Sequence, residues 1–231
     1  MDIEKAIEIE ERYIENRLNG QEVTPLNVSI QECGFGTLDD YFEAKRIYLI
    51  SKAKLAEYRS SVSNAVPTLQ KLIATRTPSI LIVESDDYFV YHGSEEFNRT
   101  RCEELNIPVY EVQHMGGTIV GGAGDLSIGV IVPDYIDINS EWVLNGFCNI
   151  ISKYINGAEV ANNDILINGK KVLGSAIFQV NGMFALVAYI SYGNRSEIIS
   201  QICPPHKGKE PGYIVDLPRE TFEDEVLQWL H

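Results

Sequence analysis

The chain has 231 residues, 45% of them apolar and 23% charged, and its formal net charge is −14. That balance supports a sizeable core in one large domain or one domain with an appendage. It excludes bulk binding to nucleic acid, which relies on clustered Lys and Arg, and no apolar run approaches the roughly 20 residues of a membrane-spanning helix.

The acidic start MDIEKAIEIEERY lacks the basic-then-apolar pattern of a signal peptide, so the expected location is cytoplasmic. Ile3, Ile7, Ile14 and Leu18 recur near helical spacing and predict a helix over 2–18, stopped by Gly20. Thr37, with Asp39 and Asp40 in the next turn, predicts the cap of a second helix from Leu38 to about Arg59. Residues 60–66 break the pattern, and Thr68 to Thr75 predict a further short helix.

The character changes at Pro78. Ser79–Glu84 (SILIVE) and Tyr88–His92 (YFVYH) are β-rich runs, and the Ser85-Asp86-Asp87 between them predicts a hairpin. Glu95 to Leu105 reads as a helix, and Val109–Gln113 and Leu126–Val132 as strands on either side of a glycine-rich stretch. Ser140 predicts the cap of a helix to about Ile155. Asp164–Asn168 and Lys170–Phe178 predict a hairpin turning on Asn168-Gly169. Phe184–Tyr192 reads as one more strand, Pro204 to Lys209 as loop, and Thr221 as the cap of a terminal helix. The expected class is α+β: a mixed β-sheet flanked by helices over 76–231, preceded by a helical extension over 1–75.

Two segments carry candidate chemistry. Gly116, Gly117, Gly121, Gly122 and Gly124 follow a strand closely, where bare backbone amides suit an anionic ligand. The stretch leads into a strand and not a helix, which excludes a Walker loop and a Rossmann fingerprint; a glycine-rich bulge is the bland alternative. The second is Asn163–Ala176, NDILINGKKVLGSA. Strand alternation puts Lys171, Leu173 and Ser175 on one face and Val172, Gly174 and Ala176 on the other. A lysine continuing into small residues suits a pocket floor, where its ammonium holds a carboxylate, carbonyl or phosphate; a solvated lysine pair after a turn is the alternative.

The order of these segments resembles the lipoate–protein ligase family, related to biotin protein ligases and octanoyltransferases. NDILINGKKVLGSA is similar to the family's second signature. His92-Gly93-Ser94, the following helix and Asn106-Ile107-Pro108-Val109 look like its strand, turn, helix and extended segment. Gly116-Gly117-Thr118-Ile119-Val120 and Gly124-Asp125-Leu126 look like its glycine-rich loop. The resemblance covers about residues 78–192. It implies an enzyme that makes an acyl adenylate such as lipoyl-AMP, from ATP and lipoate or a related acyl group, and passes the acyl group to a lysine of an acceptor protein. It implies Lys171 as the catalytic residue at the acyl carbonyl and phosphate, where its charge stabilises the oxyanion. It implies Mg2+ at Asp164, a hard oxygen donor. The implied nucleotide and acyl pocket is lined by Gly116, Gly117, Thr118, Val120, Gly121, Asn163, Asp164, Gly174, Ser175 and Ala176.

The chain departs from the family in several places. Val112 and Gln113 stand where the family has an Arg pair, Met115 where a small hydroxyl residue precedes the double glycine, and Asn181-Gly182 where it has His-Gly. Gly121-Gly122-Ala123 stand in place of a His-Asp step. Each charge-assisted hydrogen bond to phosphate contributes roughly 1.5–3 kcal/mol, so the lost arginines bear on ATP binding. Arg99, Arg101 and His114 are the candidate replacements. Two alternatives follow: an ATP-independent octanoyl or lipoyl transferase using Cys203, with His206 or Lys207 lowering its pKa, or a non-catalytic ligase-like binding module. Cys33, Cys102 and Cys148 read as plain thiols, because no CxxC occurs. His92 reads as a lone histidine, and Trp142 and Trp229 as packing residues.

Overall fold

The computed structural model describes residues 1–93, 96–112, 117–203 and 209–231. The chain divides into two compact units, Met1–Ala53 and Lys54–His231. The first unit is helical. Its α1 (Ile3–Leu18) is capped by Asp2, whose carboxylate accepts from the Lys5 amide at 3.1 Å. A short helix α2 (Leu26–Ser29) and one 3-10 turn (Ile30–Cys33) lead to α3 (Leu38–Ala53). Thr37 caps α3 as expected: Asp40 N donates to Thr37 Oγ1 at 3.1 Å, and Thr37 N donates back to the Asp40 carboxylate at 3.0 Å. Ala6, Ile30, Cys33, Phe35 and Tyr41 form the unit's small core.

The helix expected to reach Arg59 stops at Ala53, where Lys54 turns left-handed with φ 50°. Residues 54–75, assigned by the sequence pattern to the helical extension, instead supply β1 (Ala56–Ser61) and α4 (Val62–Ala74) to the second unit. The reason is tertiary: β1 gains a full parallel ladder along β2 (Ser79–Glu84), which outweighs the local helical pattern.

The second unit contains β3 (Phe89–His92), α5 (Arg99–Glu104), β4 (Val109–Glu111), β5 (Thr118–Gly121), β6 (Leu126–Pro133) and α6 (Ser140–Ser152). It continues with β7 (Ala158–Ala161), β8 (Asp164–Ile167), β9 (Lys170–Val180), β10 (Met183–Ile190), α7 (Ser196–Ile202) and α8 (Arg219–Leu230). Seven strands form a mixed sheet in the order β1-β2-β6-β10-β9-β8-β7, parallel only between β1 and β2. Three more form a small sheet, β4-β3-β5. This is the mixed sheet flanked by helices that the sequence predicts.

The predicted β2–β3 hairpin does not form. Both edges of β2 are taken, by β1 and β6, so β3 leaves for the small sheet. The exit is fixed by Ser85, whose amide donates to Asp125 O at 3.3 Å and whose carbonyl accepts from Gly124 N at 2.8 Å. The β8–β9 hairpin forms as expected, with Asn168 at φ 51° and Gly169 at φ 78°, the conformation of a type I′ turn. Asn181-Gly182 makes the same kind of turn between β9 and β10. The cap of α6 is Asn139, accepting from Trp142 N at 2.8 Å, and not Ser140; α8 starts directly after Pro218 and not at Thr221.

Helix α4 and the small sheet bury one face of the large sheet through Leu69, Leu72, Phe89, Tyr91 and their neighbours. Helices α5 and α7 pack on the far side of the small sheet, around Val90, Cys102, Ile107 and Ile202. Helix α6 packs on β7, β8 and α8, where Trp142 stacks on Trp229 at 4.6 Å, the packing role expected of both. No helix among the described residues is long and apolar enough to cross a membrane.

Candidate active site

The strand registers bring a set of side chains to one face of the large sheet. Leu81, Gly129, Val187 and Ala176 are aligned across β2, β6, β10 and β9, with Val83, Ser127, Tyr189 and Gly174 in the next row. Together with α4 and the small sheet they enclose two cavities that share Ile119 and Tyr189. One, of about 50 Å³, is lined almost wholly by apolar side chains, including Val66, Leu69, Tyr91, Ala176 and Phe178. The other, of about 90 Å³, is polar at its mouth; Thr118, Val120, Lys171, Gly174, Cys203 and Lys209 line it.

Simple alternation along β9 fails at this point. The ladder pairs Ile165 with Leu173 but Leu166 with Lys171, so Val172 is an extra residue, a bulge. The bulge turns Lys171 onto the face of Gly174 and Ala176, and away from that of Leu173 and Ser175. Bare Gly174 leaves the room: a Cβ there would lie 2.8 Å from the Lys171 ammonium. The backbone of Lys171 is held independently, its amide donating to Glu210 O at 2.8 Å and its carbonyl accepting from Gly212 N at 2.7 Å.

Asp164 lies behind the cavity, 5% exposed, with an ammonium on each oxygen. Lys171 Nζ is 2.9 Å from Oδ1, and Lys209 Nζ is 2.7 Å from Oδ2. Lys209 also donates to Ala161 O at 2.9 Å. Burial by itself would raise the Asp164 carboxyl, but the hydrogen bond from Lys209 and the charge of Lys171 outweigh it and hold the group below the ordinary carboxylate range. The cluster therefore carries one net positive charge at the cavity mouth, which suits a carbonyl oxygen, carboxylate or phosphate. Both carboxylate oxygens are paired with ammonium groups, and among the described residues no group of three or more acid, His or Cys side chains is placed to hold a metal. A Mg2+ at Asp164 would take its other ligands from phosphate oxygens and water.

The sign of the pH dependence follows. A carboxyl with a depressed folded pKa contributes stability that is complete above its unfolded value near 3.9 and is lost as pH falls through the folded value. Thermal melts from pH 7 to pH 3 should show an acid limb that Asp164→Asn flattens below about pH 4; an unchanged limb would contradict the arrangement.

The glycines divide by role. Gly117 accepts from Gly93 N at 3.0 Å through its carbonyl. Gly121 ends β5, where a Cβ would lie 2.2 Å from the Phe89 ring, and at Gly122 one would lie 2.4 Å from Arg195 Nε. Gly121 and Gly122 are therefore needed for packing. Asp125, 1% exposed, holds the turn that follows. It accepts from Gly122 N at 2.9 Å, Tyr192 N at 2.7 Å and the Tyr189 hydroxyl, and it pairs with Arg195 at 3.4 Å. Arg195 also donates to Ala123 O at 2.6 Å. Burial, reinforced by the Asp125 charge, raises the Tyr189 hydroxyl well above its ordinary pKa and keeps it a donor.

Residues 68–219 match the family described as the lipoyl protein ligase A/B catalytic domain. The chain belongs to this family. Three solved structures show the same fold at low identity. P. falciparum LipL1 in complex with lipoate is 15% identical with a TM-score of 0.62, over 75% of this chain and 60% of its own. The T. acidophilum protein Ta0514 with bound lipoic acid is 14% identical with a TM-score of 0.61, over 76% and 84%. A lipoate-protein ligase A bound with ATP is 15% identical with a TM-score of 0.61, over 76% and 81%. No curated protein matches the sequence.

Within the family frame, Thr118, Val120, Lys171 and Gly174 line the polar cavity, Ala176 lines the apolar one, and Asp164 sits behind Lys171. Asn163 and Ser175 clasp each other instead: Ser175 donates to Asn163 O through both N, at 3.0 Å, and Oγ, at 2.8 Å. Gly116, Gln113, His114, Met115, His206 and Lys207 lie outside the described residues. Arg99 and Arg101 do not replace the family's arginines at the cavity, because Arg99 pairs with Glu111 and Arg101 with Glu104 and Gln201. His92 faces Thr118 Oγ1 at 3.3 Å and stacks near Phe97. Lys209 and Arg195 escaped the sequence reading. Lys209 is 45 residues from Asp164, and only its position in KGKEPG after a loop hinted at a role. Arg195, in GNR, carried no motif.

Proposed function

We propose that the protein attaches a lipoyl, octanoyl or related acyl group to a lysine of an acceptor protein by way of the acyl adenylate. One observation supports this above others: an ammonium, Lys171, is braced by a buried carboxylate and lines a cavity that adjoins an apolar one across Ile119 and Tyr189. In this reading the acyl chain occupies the apolar cavity and its carboxyl end meets Lys171. The carboxylate attacks the α-phosphate of ATP and pyrophosphate leaves. The acceptor's amine then attacks the acyl carbonyl, AMP leaves, and the amine proton passes to solvent. Lys171 holds the oxyanion in both steps, and Lys209 supplies a second positive charge for phosphate where the family's Arg pair is missing.

A second reading is favoured by one observation, that Cys203 lines the same cavity as Lys171. Here the thiolate attacks an acyl thioester donor, the donor thiol leaves, and the acceptor amine then takes the acyl group from Cys203. A pair of assays separates the readings. Pyrophosphate exchange into ATP that depends on octanoate or lipoate supports the adenylate. A Cys203-dependent octanoyl adduct in intact-mass spectra, formed from an octanoyl thioester without ATP, supports the transferase. Ligand binding with neither outcome would leave a ligase-like binding module.

A further inference from the structure

The sheet face that carries Lys171 continues beyond the apolar cavity. Gly174, Ala176, Phe178 and Val180 alternate along β9 and share that face. Gly174 lines the polar cavity with Lys171, and Ala176 and Phe178 line the apolar one. Phe178 and Val180 line a third cavity of about 220 Å³, larger than either. Successive cavities share walls: Ile119 and Tyr189 belong to the first and second, and Val66, Leu69, Val112 and Phe178 to the second and third. The opposite wall is α4, where Val66, Leu69, Gln70 and Ile73 fall at helical spacing on one face. Helix α4 packs chiefly on β1, β2 and β6, and the third cavity is a groove between it and β9. Its outer rim is exposed at Gln70, Ala74, Asn181 and Val180, the last 48% exposed. The tyrosines in the wall have spent their hydroxyls elsewhere, Tyr91 on Val62 O at 2.8 Å and Tyr189 on Asp125.

We propose that the acyl site takes a long, unbranched chain, which runs from Lys171 through the apolar cavity and along the groove between α4 and β9 to an open end at Val180. The inference rests on the acyl-site reading above and names its substrate class. The length argues for it. From Gly174 to Val180 the strand spans about 20 Å, at roughly 3.3 Å per residue. That is the length of an extended palmitoyl chain and well beyond that of an octanoyl chain. The space argues the same way, because the largest of the three cavities lies at the end far from Lys171, past the reach of a short chain. Each methylene buried in that far section adds roughly fourfold in affinity.

The test is calorimetric titration of the full chain with octanoate, laurate and palmitate, using wild type, Val180→Trp and the double variant Gln70→Trp/Val180→Trp. Both positions are exposed at the rim, so the bulky side chains narrow the far end without disturbing the core. Wild type should bind one palmitate at least about tenfold more tightly than octanoate, with laurate between them, and octanoate should displace palmitate. The double variant should lose at least about tenfold for palmitate and bind octanoate as wild type does, with Val180→Trp intermediate. Octanoate binding with no gain for palmitate in wild type would overturn the inference and leave the acyl site standing. So would palmitate that octanoate does not displace, or palmitate binding that is unchanged in the folded double variant. Failure of wild type to bind any of the three acids would overturn the acyl site itself, and the inference with it.

Discussion

Replacing Lys171 with alanine is expected to lower the rate of acyl transfer by roughly 10²–10³-fold, the loss usual when one preorganised donor to a developing oxyanion is removed. The variant should still fold. Asp164 keeps the hydrogen bond from Lys209 at 2.7 Å, so its charge is not stranded. Lys171→Arg should recover little, because the space over Gly174 fits a narrow ammonium: a Cβ at residue 174 would already stand 2.8 Å from it. The measurement is octanoyl or lipoyl transfer to a lipoyl-domain acceptor, alongside acyl binding by calorimetry. A Lys171→Ala variant that transfers at the wild-type rate would remove this residue from the reaction. A purely structural role would shift the melting temperature and the rate together, whereas the geometry predicts loss of rate with the fold retained.

The largest effect on stability should come from Asp125. Asp125→Ala strips the acceptor from two backbone amides and the Tyr189 hydroxyl, and it leaves the Arg195 guanidinium, 11% exposed, without its carboxylate. Breaking a buried pair from one side costs about 3–5 kcal/mol. In a unit of this size that corresponds to a fall of roughly 10 °C in Tm. Urea unfolding followed by tryptophan fluorescence reads the second unit alone, since Trp142 and Trp229 are the chain's two tryptophans and both lie there. Arg195→Ala should cost less than Asp125→Ala, because it leaves the carboxylate with its three remaining donors. A change below about 1 kcal/mol for Asp125→Ala would show the pair to be solvated in the native state. The turn it holds joins β5, which lines the cavity, to β6, so loss of this anchor should also weaken acyl binding.

Short-range chemistry was legible along much of the chain. The type I′ turn at Asn168-Gly169 follows from residues that tolerate positive φ, and the Thr37–Asp40 cap follows from spacing. The apolar runs of β2, β6 and β10 are buried at nearly every position, as continuous apolar strands should be. The family resemblance placed Lys171, Gly174 and Asp164 near each other, and the ladder between β8 and β9 does bring them together.

Misreadings occurred where a choice depends on partners far away in sequence. Whether β2 pairs with β3 was decided by β1 and β6 already occupying its edges. Whether residues 56–61 became helix or strand was decided by the free edge of β2. The face of β9 on which Lys171 lies was decided by a bulge of one residue, which no alternation pattern shows. The partners of Asp164, Lys171 and the distant Lys209, were likewise set by the fold and not by local sequence.

The sequence alone determined most element types, the Asn168-Gly169 turn, the acidic balance and the family to which Asn163–Ala176 points, because these rest on backbone preferences and spacing within a few residues. Only the tertiary structure decided the pairing of β1, the role of Asp125 with Arg195 and the second cation at Asp164. Each of these depends on desolvated groups meeting across long sequence separations, and burial, not local preference, sets which partner they take.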